Sequence, residues 1–187
     1  MLKKVVTLVV IVFLWASVGS AVQVSGVNVA DSISTGGTDL FLNGAGKRTK
    51  FFIDAYVGGL YLKAENSDAQ AIIDADEPMA IVLHITSGMV TSDKMESATR
   101  EGFDNATGGN IEPIKDRIDV FIDVFREKIN QGDVYEFVNV PGKGVEVYKN
   151  GNAVTVVPGM DFKKALFGIW LGDKPAQKNL KNSMLGL

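Results

Sequence analysis

The chain has 187 residues, of which 46% are hydrophobic and 22% charged, with a formal net charge of −3 and no cysteine. Mild acidity without a basic stripe excludes a nucleic-acid interface. The lack of cysteine excludes disulfides, thiolate metal sites and a thiol nucleophile.

The first residues read as an export signal. Met1-Leu2-Lys3-Lys4 is a short basic stretch, Val5 to Trp15 is apolar, and Gly19-Ser20-Ala21 supplies small residues for cleavage. The apolar run is shorter than the ~20 residues a bilayer span needs. Residues 1–21 are therefore expected to be a signal peptide and residues 22–187 a single exported, periplasmic domain with no membrane span.

Val24 to Val29 predicts an edge strand, and Ser34-Thr35-Gly36-Gly37 a hairpin turn leading to Leu40. The segment Leu40–Leu62, LFLNGAGKRTKFFIDAYVGGLYL, organises the chain. Asn43-Gly44-Ala45-Gly46 predicts a tight reversal, followed from Thr49 by one long strand that bends at Gly58-Gly59. Arg48 stands at the start of that strand. Its guanidinium either snorkels to water or turns inward, where it needs an anionic partner.

Ser67 to Asp76 predicts a short helix closed by Pro78, and Met79 to Thr86 a buried strand. That strand holds His84, the one histidine of the chain, on the face of Val82 and Thr86. No HExxH or His-x-His spacing accompanies it, so a structural histidine is the expectation and no metal site is expected. Asp93 and Glu96 resemble a capping box for a weakly apolar helix that reaches Asn105. From Ile114 to Ile129 the residues Ile114, Ile118, Phe121, Ile122, Phe125 and Ile129 recur at helical spacing, widened by Val120 and Val124.

Val134–Val140, Val145–Lys149 and Ala153–Val157 predict three short strands, with Asn150-Gly151 a strong hairpin signal. Met160 to Leu171 predicts an amphipathic helix with Phe162, Ala165, Leu166, Ile169 and Trp170 inward, and a last helix carries Leu180 and Met184. Gly44 to Thr49 is no phosphate loop, because the spacing is wrong and a strand follows, not a helix. No GxSxG elbow accompanies His84. Asp116, Asp119 and Asp123 lie on a solvated helix face.

The segments LNGAGKRTKFFIDAYVGGLYL, TSDKMESA and DFKKALFGIWLGDKPAQKNLKNSMLG together resemble the chalcone isomerase-like family, in particular its secreted bacterial branch. The resemblance implies an α+β open-faced sandwich: a curved antiparallel sheet with helices layered on one face and a cleft between them. In the plant enzymes an arginine at the position of Arg48 guides the substrate phenolate. In fatty-acid-binding relatives the same arginine, with a tyrosine matched by Tyr56, holds a carboxylate.

Departures accompany the match. Thr91 stands where the enzymes place a tyrosine, and a threonine hydroxyl is far less acidic than a phenol. Lys94 keeps the family lysine, but Ala98 replaces an asparagine. Ile169 and Trp170 occupy the region of ring-contacting residues, which implies a narrower, more apolar cleft. The resemblance implies a protein with weak catalysis or none that binds a small anionic apolar ligand, such as a fatty acid, through Arg48 and Tyr56, with Thr91, Lys94, Ile169 and Trp170 also in the site and no cofactor. The alternatives are an isomerase using Arg48, Thr91 and Lys94 on a flavonoid-like or other small phenolic substrate, and a structural or partner-binding domain whose cleft is filled.

Overall fold

The computed structural model describes residues 21–187. Of the expected leader, all but Ala21 lies outside these residues, and Ala21 opens the first strand. Strands β1 (Ala21–Val24) and β2 (Val27–Ala30) form a small hairpin of their own. The main sheet has seven strands in chain order, β3 (Ser32–Thr35), β4 (Thr38–Lys50), β5 (Ile53–Leu62), β6 (Met79–Ile85), β7 (Val134–Val140), β8 (Gly144–Lys149) and β9 (Asn152–Val157), each antiparallel to its neighbours. Tight turns at Gly36-Gly37 and Asn150-Gly151 join β3 to β4 and β8 to β9, while β5 to β6 and β6 to β7 are joined through helices.

Alternation along the strands sends side chains to two different cores. Tyr56, Leu60 and Leu62 of β5 and Ile81, Leu83 and Ile85 of β6 join the larger core under the helices. Val57, Tyr61, Ala80 and Val82 face the other way and meet Val29 of β2, whose hairpin is tied on by a 2.9 Å hydrogen bond from the Tyr61 hydroxyl to the Ala30 carbonyl. Helices α1 (Ala69–Asp74), α2 (Ser92–Thr107), α3 (Lys115–Ile122), α4 (Met160–Leu171) and α5 (Lys178–Met184) complete the larger core, giving the expected curved α+β open-faced sandwich.

Helix α4 lies at the centre of the helical layer and is buried from Phe162 to Leu171 save for Lys164. Its Trp170 stacks on Phe137 of the sheet at 5.8 Å, and Phe162 packs against Phe103 of α2 and Phe121 of α3. Close approach of α2 and α4 depends on Gly102, where a Cβ would sit 2.8 Å from Ile169.

Several expectations are corrected. Val24–Val29 is not one strand, because the Ser25-Gly26 turn separates β1 from β2. Asn43-Gly44-Ala45-Gly46 is not a reversal but the middle of β4, with a bulge between Leu42 and Gly44. The glycines serve a different need: a Cβ at Gly44 would fall on the Ser183 carbonyl oxygen, and one at Gly46 would lie 2.7 Å from the Ser183 Cβ, so they let α5 lie directly on the strand. The true reversal is at Phe51-Phe52, both at positive φ, and it divides the single strand expected from Thr49 into β4 and β5. Gly58-Gly59 then pairs in regular register with Gly46 and Ala45, without a bulge.

The helix expected over Ile114–Ile129 stays α-helical only to Ile122. A 3₁₀ turn follows at Asp123–Phe125, which tightens the chain and re-aims Phe125 and Ile129 into the core. Val120 is left 49% exposed and does not widen the apolar stripe.

Candidate ligand-binding site

Arg48 and Tyr56 are directly opposite residues on β4 and β5, so both project under the helical layer. A bulge between Arg48 and Thr49 shifts the register just beyond the arginine. The hairpin is pinned next to its turn by Asp54, which pairs with Lys47 at 2.8 Å and accepts from the Thr49 hydroxyl at 2.7 Å. Arg48 itself has no carboxylate within ion-pair distance among the described residues; its guanidinium carbon lies 5.7 Å from the centre of the Tyr56 ring. A half-buried guanidinium can present two parallel N–H donors to a carboxylate.

Tyr56 is buried, and its hydroxyl accepts a 2.9 Å hydrogen bond from Trp170 Nε1. The oxygen's lone pair is thus engaged while its proton stays free to be donated. Burial pushes the phenol above its ordinary value, against the opposing pull of the Arg48 charge and the Trp170 hydrogen bond. At neutral pH the group is therefore a neutral donor.

A cavity of about 350 Å³ opens beside this pair, between the β4–β5 hairpin and α2. Its wall is mostly apolar: Phe51, Ile53 and Ala55 from the hairpin, Met89 and Val90 from the preceding loop, and Met95 and Ala98 from α2. Lys50, Asp93 and Lys94 stand among them. The weak apolarity of α2 follows from this position, because part of its inner face looks onto a cavity. On the other side of Arg48 a polar groove of about 260 Å³ runs past Thr49, Glu101, Asn105 and Lys174. Arg48 borders both spaces.

Not every expected site residue meets this cavity. Lys94 lines it, with its ammonium donating to the Met89 carbonyl at 3.0 Å. Thr91 does not: it is the N-cap of α2, and its hydroxyl accepts from the Lys94 backbone N–H at 3.4 Å. A polar residue at that position satisfies an orphan helix donor, which is a local structural task. Ile169 and Trp170 lie deeper, around a gap of only about 20 Å³ bounded also by Tyr56, Leu83 and Phe137. They close the inner cleft instead of lining the outer one.

Phe51, Met89 and Val90 escaped sequence reasoning. Their signal was faint, since adjacent phenylalanines between strand residues read as strand interior. His84 sits half-buried on the opposite sheet face, paired with Val57 and Val134, and takes no part in the site. Among the described residues no cluster of His, Asp and Glu could hold a metal ion.

The fold has solved counterparts. A crystal structure of the Arabidopsis thaliana fatty-acid binding protein AtFAP1 superposes with a TM-score of 0.62 at 18% identity, over 82% of this chain and 95% of that one. At that identity the likeness establishes the shared architecture. No curated protein matches the sequence. A family model described as chalcone isomerase-like matches residues 21–186, a span that includes the whole sheet, the Arg48–Tyr56 pair and the helices above it. The chain belongs to the chalcone isomerase-like family.

Proposed function

We propose that this protein binds a small carboxylate with an apolar tail, such as a fatty acid, without transforming it, and that it does so outside the cytoplasm after loss of residues 1–21. The observation that carries this reading is Arg48: a guanidinium without an ion-pair partner among the described residues, set at the edge of an apolar cavity. A carboxylate there would receive two parallel N–H donors, while Tyr56 is placed to add its proton. The tail would lie along Ile53, Ala55 and Met95.

The cavity, about 350 Å³ and open to solvent on one side, has room for the tail of a medium-length acid. The similarity in fold to a protein described as fatty-acid binding adds support. An isomerase reading loses its second group, because Thr91 caps α2 and is not on the cavity wall.

Native mass spectrometry of the protein recovered from its own host tests both parts. The expected result is a mature mass lacking the leader and a released carboxylate lipid that is lost in Arg48→Ala, with affinity for added decanoate falling at least about 10-fold, as loss of a charge-assisted pair implies. Equal binding by wild type and Arg48→Ala would sink the reading.

A further inference from the structure

The tip of the β4–β5 hairpin has the wrong residues for its conformation. Phe51 and Phe52 occupy the two central positions of a tight turn, with φ of +50° and +65°, between the paired residues Lys50 and Ile53. Both positions are left-handed, a region in which bulky side chains are outliers and Asn or Gly is strongly preferred. The other two-residue hairpins of the described chain, Ser25-Gly26, Gly36-Gly37 and Asn150-Gly151, all carry glycine at the second central position. Here two phenylalanines are held in an unfavourable backbone conformation.

Packing within the fold does not repay them, because Phe51 is 82% and Phe52 103% exposed. Met89, 56% exposed, stands beside them on the rim of the same cavity. Around these apolar groups are Lys50, Lys94 and Arg48 against the single carboxylate of Asp93, while Lys47 is neutralised by Asp54. The chain as a whole carries −3, so this end is locally cationic on an acidic protein.

We infer that the Phe51–Phe52 tip is a bilayer-docking finger, which inserts its rings into the acyl boundary of an anionic membrane while Lys50 and Lys94 meet the lipid phosphates. Two rings and a methionine on a narrow turn are far too small for the ~800 Å² that a stable protein interface buries on each partner. They suit an interface where aromatic groups enter the apolar layer and lysines reach back to the headgroups. Continuity with the cavity supplies the use: Phe51 and Met89 form its rim, so a docked finger places the opening against the acyl chains. This inference rests on the proposed ligand reading for its purpose, but not for its test.

Because the chain has no cysteine, Phe52→Cys and Lys143→Cys each give a full-length protein with one thiol for an environment-sensitive NBD label. Lys143 is the control, in the β7–β8 turn at the opposite end of the sheet. With vesicles of phosphatidylglycerol and phosphatidylcholine, the label at 52 is expected to brighten several-fold and shift to the blue, and the label at 143 to stay unchanged. Phe52→Ser should lower the vesicle-bound fraction about 10-fold, as loss of one buried phenyl ring implies. The same variant should bind decanoate in vesicle-free buffer as wild type does, since Phe52 is not on the cavity wall.

A silent label at 52 overturns the inference, whether the protein sediments with vesicles through another surface or not at all. Brightening that follows protein concentration without lipid also overturns it, by making the tip a contact between copies. Failure of the ligand reading shows separately, as equal decanoate binding by wild type and Arg48→Ala.

Discussion

His84 sits in the middle of the sheet's second face, where burial alone lowers its pKa below the ordinary 6.5. A depressed histidine pKa means that the unfolded chain takes up the proton first as pH falls. The native state therefore keeps its full stability above 6.5 and loses some of it as pH drops from 6.5 toward the lower folded value. Denaturant titrations on either side of that value should show a loss in wild type that is smaller in His84→Gln. An identical pH dependence in both would mean that His84 is not the group responsible. Its position explains its absence from the site, since among the described residues no carboxylate bonds to it and the cavity lies on the other face. Arg48 shows the converse, a charged side chain without an ion-pair partner among the described residues, whose partner on the proposed reading is the ligand.

At the scale of elements, the joints matter more than the segments. Lys163 is completely buried in α4, and its ammonium donates to the carbonyls of Ile72, Ile73 and Ala75, each at 2.8 Å. These are the unsatisfied acceptors at the C-terminal end of α1, so one side chain both caps α1 and fixes it to α4. Burial lowers the amine to about 8. Lys163→Met keeps the length of the stem but strands three acceptors, and should cost about 3 kcal/mol in chemical denaturation, more than an ordinary surface substitution. A cost below about 0.5 kcal/mol, the range of surface changes, would show that α1 docks through Ile72 and Ile73 alone. The helical pattern of MDFKKALFGIWL did not reveal this, because a lysine beside an apolar stripe ordinarily points to water.

Across the whole molecule, the cleft between sheet and helices has an outer cavity of about 350 Å³ and an inner gap of about 20 Å³, which share Arg48, Tyr56, Met95 and Ala98 as lining. Trp170 lines only the inner gap, where its indole bonds to Tyr56 and fills space that a longer ligand would enter. Trp170→Leu should cost about 3 kcal/mol for the lost ring contacts and hydrogen bond. It should also move the preferred fatty acid toward longer chains, which competition across a chain-length series would read. Unchanged length preference in a folded variant would place the tail elsewhere, along the outer groove. The same division separates the readings that the sequence left open: the inner cleft is filled, and the outer one is not.

Much of this molecule was legible from its residues alone. Short runs of β-formers between turn signals marked β6 to β9, Asn150-Gly151 marked a turn, and the spacing of Met160–Leu171 marked α4, because each depends on neighbours within a few residues. The family motifs also carried Arg48 and Tyr56 together before any coordinates placed them opposite one another. What local pattern could not supply was the reason for particular residues. Gly44 and Gly46 look like a turn but exist for the approach of Ser183, some 140 residues later, and Phe51-Phe52 looks like strand but forms the turn. The end of α3 and the division of the cleft were decided in the same way, by the packing of Phe125 and Trp170 against distant strands. Hydrogen-bonded periodicity is a property of short segments; close approach, enclosure and exposure are properties of the assembled chain, and the site is made of these.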